Sequence, residues 1–135
     1  MTGGTILVDG NAGNETGCTM RRGLIAIGGS AGDMVGFNMI AGTVFVFGEC
    51  GIRPGAGMRR GTLGLFGPNP PQLLPSFRYA STYSSQSVRL ILKTLKDKGF
   101  RVDDTLLSSE FDLYHGDLVA LGKGEILFRH GTTAV

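Results

Sequence analysis

The sequence predicts a fold dominated by β-structure: a right-handed parallel β-helix with 19-residue coils, followed by a small tail of one α-helix and a β-hairpin. Glycine supplies 23 of the 135 residues, most of them before Pro68, and these glycines recur every 19 residues. Beyond Gly67 the composition changes abruptly, and four prolines fall within residues 68–75. Self-similarity at a fixed period of this length is typical of solenoid architectures.

The repeating unit reads G-x-Φ-x-Φ-x-G-x-x-G-x-x-x-G-x-x-M-x-x, in which Φ is an apolar residue. Three complete units and the strand of a fourth are present. Because glycine tolerates backbone conformations with φ > 0, we expect the glycines at the corners of each coil. The repeating positions are Gly4, Gly23, Gly42 and Gly61; Gly10, Gly29, Gly48 and Gly67; and Met20, Met39 and Met58.

Each unit offers one short strand with a single apolar face, which cannot be buried unless units stack. Coils lying ~4.8 Å apart would pair these strands in parallel and align the apolar residues into inward ladders. The methionines would fill a third ladder on the opposite wall. A left-handed hexapeptide helix would instead need a period of about eighteen residues with an apolar residue every sixth. The predicted inward residues are Ile6, Ile25, Val44 and Leu63, beside Val8, Ile27, Val46 and Leu65.

One stretch resembles a nucleotide-binding turn, because Gly55, Gly57 and Gly61 form a GxGxxxG after an apolar strand. A dinucleotide fingerprint requires its last glycine to open a helix. Gly61 opens TLGLF, which is the next strand of the repeat. The loop is therefore interpreted as another copy of the coil corner.

The tail begins after the coils. The proline-rich residues 68–75 end the repeat, since proline gives no donor to a parallel ladder. Residues 84–100 have apolar side chains at helical spacing, with Ser84 or Ser85 as N-cap and Gly99 as C-terminal stop. Residues 116–129 read as two short strands around a Gly-Lys-Gly turn. The predicted division is a β-helix over 1–67, a linker over 68–75 and a tail over 76–135 that packs on the β-helix or on a partner.

Composition excludes several classes of function. A formal net charge of +2 and a pI of about 8.7 give no electrostatic reason to expect nucleic acid as a partner. The sequence has neither a secretory leader pattern nor an apolar run of the ~20 residues that cross a bilayer, so a cytoplasmic protein without membrane contact is expected. Cys18 and Cys50 are expected to be reduced, buried thiols.

No residues are predicted to be catalytic, to bind a cofactor or to hold a metal. His115 and His130 lack a further ligand at metal-binding spacing. Asp112 and Asp117 flank Tyr114 and His115, which allows a carboxylate–histidine pair for acid–base chemistry. The favoured alternative is a polar turn that holds Tyr114 against the helix. Asp9, Asn11, Asn14 and Asp33 do not repeat an acidic residue in every unit, as calcium-binding repeats require.

Two arginine pairs occupy the same places in the first and third units, whereas the second unit has Ile40 and Ala41 there. Guanidinium groups in such a stripe would suit carboxylates or phosphates. The favoured alternative is a solvated or subunit-contacting corner. The residues concerned are Arg21, Arg22, Arg59 and Arg60, with Arg53 on a nearby turn.

The coils together with PSFRYAS at 75–81 and SEFDLYHGDLVALGKGEIL at 109–127 closely resemble the C-type subunit of formylmethanofuran dehydrogenase and its homologue in the bacterial formyltransferase/hydrolase complex. The coils alone also resemble the GxGxG domain that ends the large subunit of glutamate synthase. The proline stop, helix and hairpin favour the C-type family.

This resemblance implies a non-catalytic structural subunit in one-carbon metabolism, as in methanogenesis or methylotrophy, with other subunits of a formyl-transfer complex as partners. Any molybdenum or tungsten pterin and iron–sulfur clusters would lie on those partners. The usual member of this family has further coils in front, so the first strand here is expected to be open and to form an oligomeric contact. Two alternatives are a stand-alone homo-oligomeric β-helix scaffold and an anion-binding module that uses the arginine pairs.

Overall fold

The coils predicted from the 19-residue period are present and stack strand on strand. A computed structural model describes residues 1–69, 71–116 and 123–130. The elements in chain order are β1 (Thr2–Val8), β2 (Arg22–Ile27), β3 (Thr43–Val46), β4 (Thr62–Leu65), β5 (Arg78–Tyr83), α1 (Gln86–Asp97), α2 (Asp104–Leu107), β6 (Phe111–Gly116) and β7 (Gly124–Arg129). They form a β-solenoid of about three turns, which confirms the predicted fold class.

Strands β1 to β4 pair in parallel with a register of one repeat. Ile25 lies between Ile6 on one side and Val44 on the other, and Val44 is followed by Leu63. Val44 and Leu63 are completely buried and Ile25 is 7% exposed. The predicted inward ladder is therefore confirmed, and its burial fails only at Ile6, which no earlier coil among the described residues covers.

The methionine ladder explains one of the glycine series. A Cβ on Gly42 would come within 2.9 Å of the terminal methyl carbon of Met20, and its φ of +101° also disfavours a side chain. A Cβ on Gly23 would likewise come within 2.9 Å of the terminal methyl carbon of Met1. Met1 stands one period before Met20, so the ladder has a fourth member that was not predicted. The three predicted members, Met20, Met39 and Met58, have no solvent exposure.

The tail continues the sheet of the solenoid, whose strand order is β1-β2-β3-β4-β7-β6-β5. Strand β7 pairs in parallel with β4 and places Ile126 beside Leu63. The amide of Glu125 donates to the carbonyl of Gly61 at 2.9 Å, as the amide of Thr62 does to Gly42 one coil earlier. The segment GEILF thus follows the repeat pattern and supplies the strand of the next coil.

A second core lies on the outer face of the sheet, under α1. Phe45 packs edge-on against Phe66 with ring centroids 5.0 Å apart, and Phe66 also contacts Phe111 of β6. Because β3, the residue that follows β4, and β6 all contribute to this layer, the helix joins the coils to the hairpin. The helix buries one side against it through Val88, Leu92 and Leu95.

Helix α1 confirms the predicted helix with shorter bounds. The Ser85 hydroxyl accepts a hydrogen bond from the amide of Val88 at 3.2 Å, so Ser85 is the N-cap. Gly99 has a φ of +85°, which suits its predicted role as the stop. The four-residue helix α2 and strand β5 were not predicted.

The hairpin is present and its second strand lies where it was predicted, but the position of its first strand was predicted incorrectly. Its first strand is Phe111–Gly116 rather than a strand that begins at residue 116. Side chains along FDLYHG alternate between the two faces of the sheet, as they do in a strand. Phe111 and Leu113 pack towards α1, while Tyr114 packs towards the solenoid core. Residues 117–122, which include most of the predicted first strand and only Gly122 of the predicted turn, lie outside the described residues.

No helix in the described part of the chain is long and apolar enough to cross a membrane.

Candidate functional site

The arginine pairs lie on the surface, where the repeat places them. Arg21 and Arg22 stand at the start of β2, Arg59 and Arg60 just before β4, and all four are exposed. Arg53, on a corner with a φ of +57°, is exposed as well. Two coil steps separate the pairs by about 10 Å. None of the ion pairs found among the described residues includes them, and a contact with an anion or a partner stays a prediction.

The polar residues at the corners serve the stacking of the coils. The side-chain oxygen of Asn11 accepts the amide of Ser30 at 2.8 Å, and the Ser30 hydroxyl accepts the amide of Glu49 at 3.0 Å. A parallel ladder runs three residues further along, from Asn14 to Asp33 to the amide of Ile52. The signal in the sequence is a side chain with an acceptor oxygen at the same place in successive units.

The carboxylate–histidine pair of the structure differs from the predicted one. Asp112 and His115 point to opposite faces of β6, and the Asp112 carboxylate lies instead 2.9 Å from Nδ1 of His130. Thr82 donates to the same carboxylate oxygen at 2.6 Å and is itself 2.6 Å from the Tyr79 hydroxyl. This pairing was missed because His130 is 18 residues from Asp112 and reaches it only through the hairpin. Asp117 lies outside the described residues.

Tyr114 is also placed differently from the prediction. It belongs to a strand rather than a turn, and its ring contacts Tyr79 and Phe128 with centroids 5.5 and 5.6 Å away. It therefore extends the solenoid core and does not pack on α1.

The two thiols are both free and partly buried. Burial raises the pKa of Cys50 to about 12, and the charge of Asp33 adds to the effect. Such a thiol is a poor nucleophile and a poor metal ligand, because both roles require the thiolate. Within residues 1–69, 71–116 and 123–130, no three His, Cys, Asp or Glu side chains come together in a way that would hold a metal ion.

A cavity of about 450 Å³ lies between the start of α1 and the outer face of the sheet. Its polar groups include the hydroxyls of Thr43 and Thr62, the carboxylate of Glu125 and the side chains of Ser84 and Gln86. Thr62 donates weakly to Glu125 at 3.5 Å. A carboxylate surrounded by hydroxyl and amide groups supplies hydrogen bonds, but no nucleophile is paired with a base among these described lining residues.

The first coil presents an open face. Ile6 is 46% exposed and Leu7 38% exposed, although Ile25, the equivalent of Ile6 one coil later, is 7% exposed. The backbone of β1 is also unpaired on the side away from β2, since β1 is the edge of the described sheet. Unpaired strand edges with apolar side chains are sites of association with other chains.

The stacked coils, covered at one end by a hairpin strand and open at the other, define a parallel β-solenoid. No protein-family model matches the sequence, and no curated protein matches it. Among solved structures, a chain of the formyltransferase/hydrolase complex FhcABCD from Methylorubrum extorquens, crystallised in complex with methylofuran, is similar, with a TM-score of 0.74 and 36% sequence identity.

The alignment covers 94% of this chain and 56% of that one, so this chain spans little more than half of its neighbour's length. The resemblance stated from the sequence is thereby confirmed at the level of the complex.

Proposed function

We propose that this protein is a structural subunit of a formyltransferase/hydrolase-type complex of one-carbon metabolism, equivalent to the C-type subunit of formylmethanofuran dehydrogenase. The observation that carries the proposal is the 36% identity maintained over 94% of the chain, through both the coils and the tail. Stacked coils alone are a general architecture, whereas a hairpin strand that follows a helix and pairs in parallel with the last coil strand, β4, is a particular arrangement.

The chemistry belongs to other subunits in this proposal. His130 and Asp112 form the one histidine–carboxylate pair found among the described residues, and His130 lies on the surface with a side chain that is 58% exposed. General acid–base catalysis is more effective when the pair faces a substrate in a water-excluded pocket. The proposal therefore gives this chain no catalytic residue and no cofactor. A pterin-bound metal or iron–sulfur clusters, where the complex has them, would be bound by partner subunits in the cytoplasm.

The role left to this chain is to hold partners through rigid surfaces. The arginine corner offers Arg21, Arg22, Arg59 and Arg60 to acidic groups of a partner, and guanidinium groups pair with carboxylates in bidentate geometry. A homo-oligomeric scaffold is the second candidate, and the exposed edge of β1 favours it. An independent anion-binding module is a third function, which the same arginines would serve.

Affinity purification of the tagged chain from its native host, at moderate salt and followed by mass spectrometry, tests the proposal. We expect formyltransferase-like and hydrolase-like subunits in fixed proportion to the tagged chain. Recovery of the chain alone, or only with itself, would contradict the proposal and favour the scaffold. The control variant carries Glu at positions 21, 22, 59 and 60; it should fold normally and lose partners only if the arginine corner docks them.

A further inference from the structure

We infer that the cavity between the start of α1 and the outer face of the sheet binds a small organic molecule that carries a primary ammonium group on an apolar body. The carboxylate of Glu125 would hold the ammonium group. This inference goes beyond the proposed function and does not depend on it, because it concerns a ligand of this chain alone.

The cavity has a polar end and an apolar end. The strand register places Thr43, Thr62 and Glu125 side by side on β3, β4 and β7, and all three line the cavity. Two residues further along, Phe45 on β3 and Leu127 on β7 line it as well. A ligand in this space would therefore meet side-chain oxygens at one end and aromatic and aliphatic carbons at the other.

The carboxylate at this place departs from the pattern of the coils. The equivalents of Glu125 on β4, β3 and β2 are Thr62, Thr43 and Leu24, none of which is charged. The pairing of β7 with β4 uses the backbone of Glu125, whose amide donates to the carbonyl of Gly61 at 2.9 Å. Any residue except proline has such an amide. The stacking of β7 on the coils therefore does not explain why a carboxylate stands here.

The charge of Glu125 has no cationic partner among the described residues. Its side chain is half-buried, and Thr62 donates to it only at 3.5 Å. His115 lies opposite it on β6 and Lys123 precedes it by two residues, yet neither forms an ion pair with it. The residues outside the described ranges include no Lys, Arg or His. Because withdrawing a carboxylate from water without a partner is unfavourable, a ligand ammonium group there would be stabilising.

The size of the cavity favours a free ligand over a single side chain of another protein. Its volume of about 450 Å³ lies within the range of ligand sites, roughly 300–1,000 Å³. One lysine side chain would fill only part of this space. Val88 and Ile91 of α1 line the cavity opposite the sheet, so an apolar ligand body would have carbon contacts on both sides.

Three probes of similar shape and different charge test the inference. Phenethylamine, phenethyl alcohol and phenylacetate would each be titrated into the isotope-labelled chain at neutral pH and followed by the amide signals of Thr43, Thr62 and Glu125. We expect saturable shifts with phenethylamine and a Kd on the order of 1 mM, as suits a fragment. The neutral alcohol lacks the ion pair and should bind at least about tenfold more weakly, and phenylacetate more weakly still.

Glu125→Gln keeps the length of the side chain and removes its charge, so the affinity for phenethylamine should fall at least about tenfold. Glu110→Gln is the matched control, because Glu110 is exposed and does not line the cavity. Circular dichroism would establish that both variants fold. If Glu125→Gln does not fold, Ser87→Phe replaces it, since Ser87 is an exposed lining residue on α1 and a ring there should block binding.

Four results of the titrations would overturn the inference: no saturable shift, equal affinity for the alcohol, tighter binding of phenylacetate, or unchanged affinity in the variant that tests the cavity. Carbodiimide treatment of the complex purified from the native host addresses the remaining occupant. Coupling of Glu125 to a lysine of a co-purified protein would show that a partner side chain fills the cavity. That result would overturn the inference of a free ligand while leaving the proposed function intact.

Discussion

Gly124 lies directly over the side chain of Met58, as Gly61 lies over Met39 one coil earlier. A Cβ on Gly124 would come within 2.6 Å of the Met58 Cγ and 2.5 Å of the Gly116 carbonyl oxygen. The tail hairpin therefore reproduces the contact by which each coil covers the methionine of the coil before it. The methionine ladder ends on a strand of the tail hairpin, far from the coils in the sequence.

Replacement of Gly124 by Ala should destabilise the protein by about 1–3 kcal/mol, because the new methyl group meets a carbonyl oxygen that cannot move without disturbing the hairpin. The midpoint of urea denaturation measures the change. Gly10→Ala is the matched control, since no atom lies within 4 Å of a Cβ built there. Equal midpoints for the two variants would contradict the close fit of β7 on the coils.

Met39→Asp should prevent folding. Met39 has no solvent exposure, and the substitution would bury a carboxylate among methionine and aliphatic side chains without a partner. The soluble fraction on expression is the measurement. Met39→Leu, which nearly preserves volume and polarity, should cost less than about 1.5 kcal/mol and remain soluble. A soluble and folded Met39→Asp protein would count against the stacking of the methionines in one core.

Asp33→Ala should cost about 1 kcal/mol, because it removes the oxygen that accepts the amide of Ile52 at 3.0 Å. Asp33→Asn retains that oxygen and should be close to wild type in stability. Thermal unfolding of the three proteins under the same conditions distinguishes the outcomes. If Asn destabilises as much as Ala, the charge of Asp33 rather than its acceptor oxygen is what matters.

Cys50 should resist alkylation in the folded protein. Its pKa, raised to about 12 by burial, keeps the thiol protonated at a labelling pH of about 8.5, and the thiolate is the reactive form. Iodoacetamide labelling followed by mass spectrometry should modify this residue far more slowly than in denaturant. Comparable labelling rates in the two states would contradict the burial of the thiol.

The same pKa has a consequence for stability at alkaline pH. The folded value lies above the ordinary value of 9.0, so between pH 9 and about 12 the native state retains a proton that the unfolded state has lost. Stability from this group is complete below pH 9 and is lost as the pH rises towards 12. A Cys50→Ala variant should show a shallower fall in unfolding free energy over this range. If the unfolding free energies of the two proteins fall in parallel over this pH range, the Cys50 thiol does not contribute to the loss of stability.

The coils could be predicted from the sequence because each stacking contact joins residues one period apart. Gly and Met recur where two neighbouring coils meet, so the pattern along the chain reports the packing directly. The ladder of Asn14 and Asp33 gave a weaker signal, since its members share only an acceptor oxygen. The residue types at these positions exclude calcium-binding repeats, but they do not by themselves indicate a structural ladder.

The tail was predicted less well because its contacts are not periodic. Its GEILF segment carries the strand pattern of the repeat, yet the residue pattern between Gly67 and Gly124 does not indicate that this strand returns to β4. The pair of Asp112 and His130 depends on the same hairpin and was missed for the same reason. The first strand of the hairpin was predicted over the GDL segment, whereas the structure has it over the preceding FDLYHG.

The place of β7 also bears on how the chain acquires its fold. Pairings within the coils join residues 19 apart, whereas Thr62 and Glu125 are 63 apart. Closing the longer loop costs more chain entropy, and contacts distant in sequence slow folding. During synthesis the coils emerge before β7, and the edge of β4 stays unpaired until that strand, about 63 residues later, has been made. We therefore expect the interval between translation of β4 and of β7 to be when the nascent chain is most prone to aggregate through that edge.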